Sequence, residues 1–226
     1  MAKTYVVAGT DTDVGKTLIS AALLVAAHRR GMSTQGMKPL ASGSAETGQG
    51  LRNADALLLQ AHSSIALEYD EVNPLVFAPA IAPHIAARQS GQRLDAARIA
   101  GFCRGALLKK TDFTVIEGVG GWRVPLNERE TFADVVHALD VPVILVVGMR
   151  LGCVSHALLT VEAIQRDGLT IAGWVANRID AGMSCFDENL ATLQGWLDVP
   201  LLGVVPRLSE ASPSLAADCL DVEVLL

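Results

Sequence analysis

The chain has no surplus of positive charge. Lysine and arginine total 18 against 24 aspartate and glutamate, a formal net charge of −6 across 226 residues. No basic stripe or patch appears: Arg29-Arg30 and Lys109-Lys110 each close an expected helix, where cations favour the dipole and face water. Affinity for nucleic acid rests largely on phosphate neutralisation, so this composition speaks against such a partner. Cysteine is sparse as well. Cys103, Cys153, Cys185 and Cys219 lie far apart with no CxxC pair, which leaves a disulfide framework or zinc site unsupported and fits reduced thiols. The five histidines have no metal-ligand spacing. No apolar run is long and unbroken enough to span a bilayer, and no signal peptide precedes the first expected strand. A cytoplasmic protein is expected.

What is present is apolar bulk, half of the residues, enough for the core of one α/β domain over residues 1–226. Its organising stretch is Val6 to Ser20. An apolar run from Tyr5 to Ala8 reads as a buried strand and stops at Gly9. A polar turn, Thr10-Asp11-Thr12-Asp13-Val14, then leads to Gly15-Lys16-Thr17 and a helical apolar segment. Strand, glycine-containing loop and helix in that order make a phosphate-binding loop. Free N–H groups and the dipole at a helix start suit a triphosphate. Lys16 reaches outer phosphates and the Thr17 hydroxyl suits Mg2+. The usual pattern would put a glycine at position 10; here it sits one place earlier, at Gly9.

Helices are expected over Thr17 to Arg30 with a Gly31 cap, from Asn53-Ala54-Asp55 to about Gln60, and from near Pro83. Leu94 to Leu108 reads as amphipathic, with Leu94, Ala97, Phe102, Gly105 and Leu108 on one face. Thr131-x-x-Asp134 forms a capping box for a helix to Leu139. Ser155 is expected to cap a helix to Asp167, and a further helix covers Ser184 to Leu197. Strands are expected at Thr34 to Lys38, Phe113 to Glu117, Val143 to Gly148, Ile171 to Asn177 and Leu201 to Val205. Leu40 to Gly50 reads as a loop, and residues 65–93, with three prolines, are the least readable. The alternation predicts a single doubly wound, mostly parallel sheet flanked by helices.

Glu117 ends a core strand, where a carboxylate can hold Mg2+ opposite the loop threonine. Lys38, at another strand end, suits charge on a transferred phosphoryl group. Asp55 reads equally as a ligand or a helix cap. The glycines at 118, 120 and 121 are no dinucleotide fingerprint, because position 123 is arginine.

In order, these residues resemble the dethiobiotin synthetase family. The matching segments are Gly9 to Thr17, Lys38-Pro39 with Ala41-Ser42-Gly43, Leu51-Arg52-Asn53 with Asp55-Ala56, Asn73-Pro74 and Pro83-His84. Glu117-Gly118 with Gly120-Gly121-Trp122 and Pro125-Leu126, Leu151-Gly152-Cys153, and Gly173-Trp174-Val175 with Asn177 complete the likeness. The resemblance implies a P-loop ligase that uses ATP and Mg2+ to close a cyclic urea from diaminopelargonic acid and CO2, giving dethiobiotin, ADP and phosphate. It implies that Lys16 and Lys38 are catalytic, that Thr17, Asp55 and Glu117 hold the metal, and that Thr12 and Ser42 position diamine and carbamate. Asp13 would contact nucleotide or an amine. Val14, Gly15, Gly118 and Gly120 would line the nucleotide site. Asn177 and Arg178 would read the base, with Pro206, Arg207 and Glu210 beside them. Gly152, Cys153 and Ser155 would bind the substrate's tail carboxylate from a partner subunit, making the active site a property of a homodimer. Ser155 stands where many relatives have asparagine.

Two other classes share these features: a nucleotide switch similar to the septum-positioning and plasmid-partition ATPases, and a synthetase of the cobyric-acid type. The switches carry an extra lysine early in the loop, where this chain has Thr10 and Asp11, and its acidic C-terminal stretch lacks a basic amphipathic helix. The synthetases work beside a glutaminase, for which no cysteine here has the setting.

Overall fold

A computed structural model describes residues 2–226. In chain order its elements are β1 (Lys3–Gly9), α1 (Lys16–His28), β2 (Thr34–Met37), β3 (Leu40–Ala41), β4 (Ala45–Thr47), β5 (Gly50–Arg52), α2 (Ala54–His62), α3 (Tyr69–Val72) and β6 (Leu75–Val76). Then come α4 (Pro83–Gln89), α5 (Ala96–Leu107), β7 (Phe113–Glu117), α6 (Phe132–Leu139), β8 (Val143–Met149), α7 (Cys153–Arg166), β9 (Ile171–Arg178), α8 (Phe186–Trp196), β10 (Leu201–Val205) and α9 (Pro213–Ala217). A 3₁₀ turn, Glu223–Leu225, follows.

Six strands form one parallel sheet in the order β10-β9-β8-β1-β7-β2. β1 lies centrally, with Val7 opposite Glu117 on one side and Gly9 opposite Val146 on the other. Every residue of β7 and β8 is buried, as expected of parallel strands covered on both faces. Alternation along β1 sends Val6 and Ala8 into a core with α5, α6 and α7, and Tyr5 and Val7 into a second core with α1 and α9. Leu23 and Leu24 of α1 are fully buried there, each contributing about 1.5–3 kcal/mol by the usual transfer scale. Gly31, at φ +80°, closes α1, and the Met32 N–H donates back to the Ala27 carbonyl at 3.3 Å.

β2 is an edge strand whose outward N–H groups are satisfied by side chains. The Ser64 hydroxyl accepts from Thr34 N at 2.7 Å, and the Ser63 hydroxyl from Gly36 N at 2.9 Å. That covers the edge and fixes the strand that delivers Lys38.

Three expectations need correction, and one stretch gains elements. Leu40 to Gly50 is not plain loop: β3 pairs in parallel with β6, and β4 with β5 forms a small hairpin. The buried face of α5 is Ala96, Ile99, Ala100, Cys103 and Ala106, whereas Phe102 and Leu108 are exposed. Small side chains pack closest to the sheet there, so the largest residues did not mark the inner face. α7 begins at Cys153, with Gly152 as its cap at φ +94°, so Ser155 lies inside its first turn. Within residues 65–93, the expected helix at Pro83 forms, and α3 and β6 are additional elements.

Candidate functional site

The phosphate loop begins where the backbone leaves no room for a side chain. A Cβ on Gly9 would lie 2.7 Å from Val14 Cγ2 and 3.0 Å from the Asp11 carbonyl oxygen. Thr10 is still tied to the sheet, its N–H donating to the Val146 carbonyl at 3.0 Å. The glycine is therefore needed one place earlier than in the usual spacing. Asp13 (φ 58°) and Gly15 (φ 91°) take left-handed backbone, turning the chain into α1. Gly15 caps α1 without any side-chain hydrogen bond, so the first-turn amides have no side-chain acceptor at the cap. Asn177 backs the loop: its Nδ2 donates to the Val14 carbonyl at 2.8 Å, and a Cβ on Gly15 would meet that atom at 2.1 Å.

Lys16 and Lys38 face the same cavity, of about 980 Å³. Lys16 Nζ donates to the Asp11 carbonyl at 2.9 Å. Burial, then the neighbouring Lys38 ammonium, pull its pKa down to about 8 against the partial opposition of Glu117, Asp55 and Asp13. Lys38 Nζ donates to Glu117 Oε1 at 2.5 Å and to Asp55 Oδ2 at 3.0 Å. Burial alone would push Lys38 down, but Glu117 and Asp55 outweigh it and hold the ammonium above its ordinary value.

Thr17 Oγ1 donates to the same Glu117 Oε1 at 2.8 Å. The three expected metal-holding residues are thus brought together, with Thr17 and Asp55 on either side of the Lys38–Glu117 contact. Glu117 is fully buried at its side chain, and its second oxygen, Oε2, has no hydrogen-bond partner among the described residues. An orphaned buried carboxylate oxygen next to a hydroxyl and a second carboxylate fits Mg2+, which takes few protein ligands and keeps waters and substrate phosphates as the rest. No group of three or more His, Cys, Asp or Glu that could hold a metal ion by itself is found among the described residues.

A buried network sets this geometry. Tyr69 Oη accepts from Asn53 N at 2.7 Å and donates to Asn73 Oδ1 at 2.8 Å, and Asn73 Nδ2 donates to the Lys38 carbonyl at 2.6 Å. Asn53 caps α2, so the helix start carrying Asp55 is tied to the strand end carrying Lys38. The sequence signal for this was Asn73-Pro74, whose polar role only the fold discloses.

Thr12, Asp13, Gly15, Ser42 and Gly120 line the same cavity. Val14 and Gly118 are buried beneath it, and the Gly118 N–H donates to the Val7 carbonyl at 2.9 Å. The remaining expected residues lie elsewhere. Arg178 ends β9 with its guanidinium 4.7 Å from the Phe186 ring centroid, and Arg207 Nη1 donates to the Ile179 carbonyl at 3.2 Å. Pro206 and Arg207 follow β10, beside the end of β9, and Glu210 is exposed beyond them. Gly152, Cys153 and Ser155 stand at the start of α7 and do not line the cavity of their own chain. Sequence reasoning missed two neighbours. Arg150 pairs with Asp11 at 2.5 Å, and Arg123 lines the cavity.

A family model described as an AAA domain matches residues 3–214. The ATP-dependent dethiobiotin synthetase BioD of Cellvibrio japonicus (strain Ueda107) is 56% identical over 224 residues, 99% of this chain and 98% of that protein. The protein of the same name from Pseudomonas aeruginosa (strain UCBPP-PA14) is 56% identical over 98% of this chain and 97% of its own. Among solved structures, the septum site-determining protein MinD of Pyrococcus horikoshii with Mg-ADP superposes with a TM-score of 0.58 at 17% identity, covering 99% of this chain and 89% of that one. Cobyrinic acid a,c-diamide synthase from Mycobacterium smegmatis gives 0.52 at 14% identity over 96% and 91%. At those identities the two structures share the fold alone.

Proposed function

The chain belongs to the dethiobiotin synthetase family, and from that premise we propose a residue-level account of how it makes dethiobiotin with ATP. The observation that carries it is the convergence of Lys16, Lys38, Thr17, Asp55 and Glu117 on one cavity beside the first turn of α1, which has no side-chain cap.

The substrates are diaminopelargonic acid and CO2. One amine nitrogen attacks CO2 and loses a proton, leaving a carbamate. A carbamate oxygen then attacks the γ-phosphorus as the bond to ADP breaks, which gives a carbamic–phosphoric mixed anhydride. The second amine attacks its carbonyl carbon, phosphate leaves with the C–O bonding pair, and loss of a proton gives the cyclic urea.

Lys16 and Lys38 supply preorganised positive charge to the phosphates and the carbamate, where a buried setting makes each charge count most. Thr12 and Ser42 hydrogen-bond the diamine and the carbamate, and Asp13 contacts nucleotide or an amine. Thr17, Asp55 and Glu117 would hold Mg2+, which would supply charge neutralisation at the phosphates. Holding the second amine against the anhydride carbon is the remaining task, and orientation of that kind contributes about 7–11 kcal/mol. The base rests against Asn177, which backs the loop through its Nδ2 bond to the Val14 carbonyl, with Arg178, Pro206, Arg207 and Glu210 around it.

The tail carboxylate meets the start of α7 from a second copy of the chain, at Gly152, Cys153 and Ser155. The exposure of that turn supports this: Leu151 is 93% exposed and the three residues sit outside their own chain's cavity. A cytoplasmic homodimer is the corresponding assembly; no helix among the described residues is long and apolar enough to cross a membrane.

Measuring ADP release with and without the diamine and bicarbonate, and identifying the product by mass, tests the account. Turnover that needs both and yields dethiobiotin is expected. Hydrolysis indifferent to both would overturn it in favour of a nucleotide switch.

A further inference from the structure

Glu117 Oε1 is the meeting point of two donors from different elements, Lys38 Nζ at 2.5 Å and Thr17 Oγ1 at 2.8 Å. The same ammonium reaches Asp55 Oδ2 at 3.0 Å. Both carboxylates that would hold the metal are therefore paired with one internal cation. The side chains of Lys38 and Glu117 are buried, and ion pairs so placed are screened little by salt.

Lys16 differs. It faces the same cavity, yet its ammonium donates to the neutral Asp11 carbonyl at 2.9 Å and bonds no carboxylate. The pairing of Lys38 is a matter of placement, not of nearness alone. Its backbone is fixed from both sides: Lys38 N donates to the Val72 carbonyl at 2.8 Å, and its own carbonyl accepts from Asn73 Nδ2 at 2.6 Å. What can move is the flexible side-chain stem, whose ammonium carries three donors. Two of them are used on carboxylates, and the third has no protein acceptor among the described residues.

We infer that Lys38 determines the form in which metal enters: as an internal counter-ion it competes with free divalent cation for Asp55 and Glu117, so the site takes metal with nucleotide and not alone. This rests on the function proposed above. A bare dication meets carboxylates already neutralised, and the Lys38 ammonium repels it. A metal–nucleotide complex brings phosphate oxygens as well, and these give the spare donor of Lys38 a charge-assisted bond. One ammonium thus disfavours the first ligand and favours the second, which is discrimination by repulsion as well as by attraction.

The test measures metal binding by the nucleotide-free protein, with Mg2+ by calorimetry and with Mn2+ by electron paramagnetic resonance. Lys38→Met is expected to bind either ion at least about tenfold more tightly than the unaltered protein, because a cation at this range weakens a carboxylate's hold on a proton by about 10- to 1,000-fold. Lys38→Arg keeps the charge and binds as weakly as the unaltered protein. Adding Glu117→Gln to Lys38→Met abolishes the gain, and Lys16→Met gains less than Lys38→Met. With ADP present, the metal affinities of Lys38→Met and the unaltered protein converge. Equal metal affinity of those two proteins without nucleotide, or an equal gain in Lys16→Met, would overturn the inference. ADP affinity reports whether each variant keeps its fold; if Lys38→Met does not, Lys38→Gln, which retains a neutral donor toward Glu117, gives the same comparison. Dethiobiotin formation by the unaltered protein is followed in parallel. Its absence would refute the function itself, whereas a failed metal comparison with synthesis intact refutes only this role of Lys38.

Discussion

Lys38 and Glu117, which lie 79 residues apart in sequence, share a buried hydrogen bond of 2.5 Å at the ends of two neighbouring strands. The pair exists because β2 takes the sheet edge beside β7, so the residue after Met37 emerges against the last residue of Phe113–Glu117. Both side chains are almost completely removed from solvent, at 6% and 0% exposure, so neither charge is tolerable alone.

Lys38→Ala is expected to lower kcat by about 100- to 1,000-fold, the usual loss for one preorganised electrostatic contact, with ATP affinity nearly intact. It also leaves Glu117 buried without its cation, a loss of about 3–5 kcal/mol that denaturant unfolding will register. Adding Glu117→Gln restores much of that stability without restoring turnover. A normal rate in the single variant would remove Lys38 from the chemistry.

Glu117→Gln keeps the shape of the side chain and discards the charge. The Mg2+ concentration for half-maximal rate is expected to rise at least about tenfold, the effect of about 1.4 kcal/mol of lost binding. An unaltered Mg2+ titration would make Glu117 purely structural.

Lys16 carries a pH signature. Its pKa in the ligand-free protein is about 8, below the ordinary 10.5, because burial and Lys38 disfavour the charge. Between those values the unfolded chain binds more protons than the folded one, so this group's contribution to stability grows as pH rises through that window. Under the proposed function, nucleotide needs the charged form. ADP binding above pH 8 is therefore expected to draw in a proton, read by calorimetry in buffers of different ionisation enthalpy, and to weaken progressively toward pH 10. Proton-neutral binding at pH 9 would contradict it.

Cys103 behaves in the opposite sense. Burial pushes its thiol up to about 12 from an ordinary 9.0. The folded chain then holds a proton that the unfolded chain gives up, and the stability this confers is complete below pH 9 and lost as pH climbs toward 12. At pH 8 a thiol reagent is expected to label the exposed Cys185 at once and Cys103 only after unfolding. Prompt labelling of Cys103, located by peptide mass, would show that α5 opens.

Where local chemistry decides, the sequence was legible. Phe113–Glu117 and Leu201–Val205 have the bounds their apolar runs announced, and Thr131 with Asp134 forms the anticipated capping box. The phosphate loop was legible for the same reason: the steric need for Gly9 and Gly15 is local. Contacts made by distant partners were not. Glycine and serine disguised the β4–β5 hairpin, whose strands pair only with each other. In α5 alanines carry the inner face while Phe102 points outward, so residue size misled. Arg123 was invisible as a cavity residue because the carboxylate it pairs with, Asp167, lies 44 positions away at the far end of α7.

The cluster of Lys16, Lys38, Asp55 and Glu117 contains two positive and two negative groups, so it is neutral overall before anything binds. Under the proposed function, the scaffold is therefore expected to keep its integrity without magnesium. Chelation is then expected to silence turnover without lowering the unfolding midpoint, so that a swing in free divalent cation would change output and spare the fold.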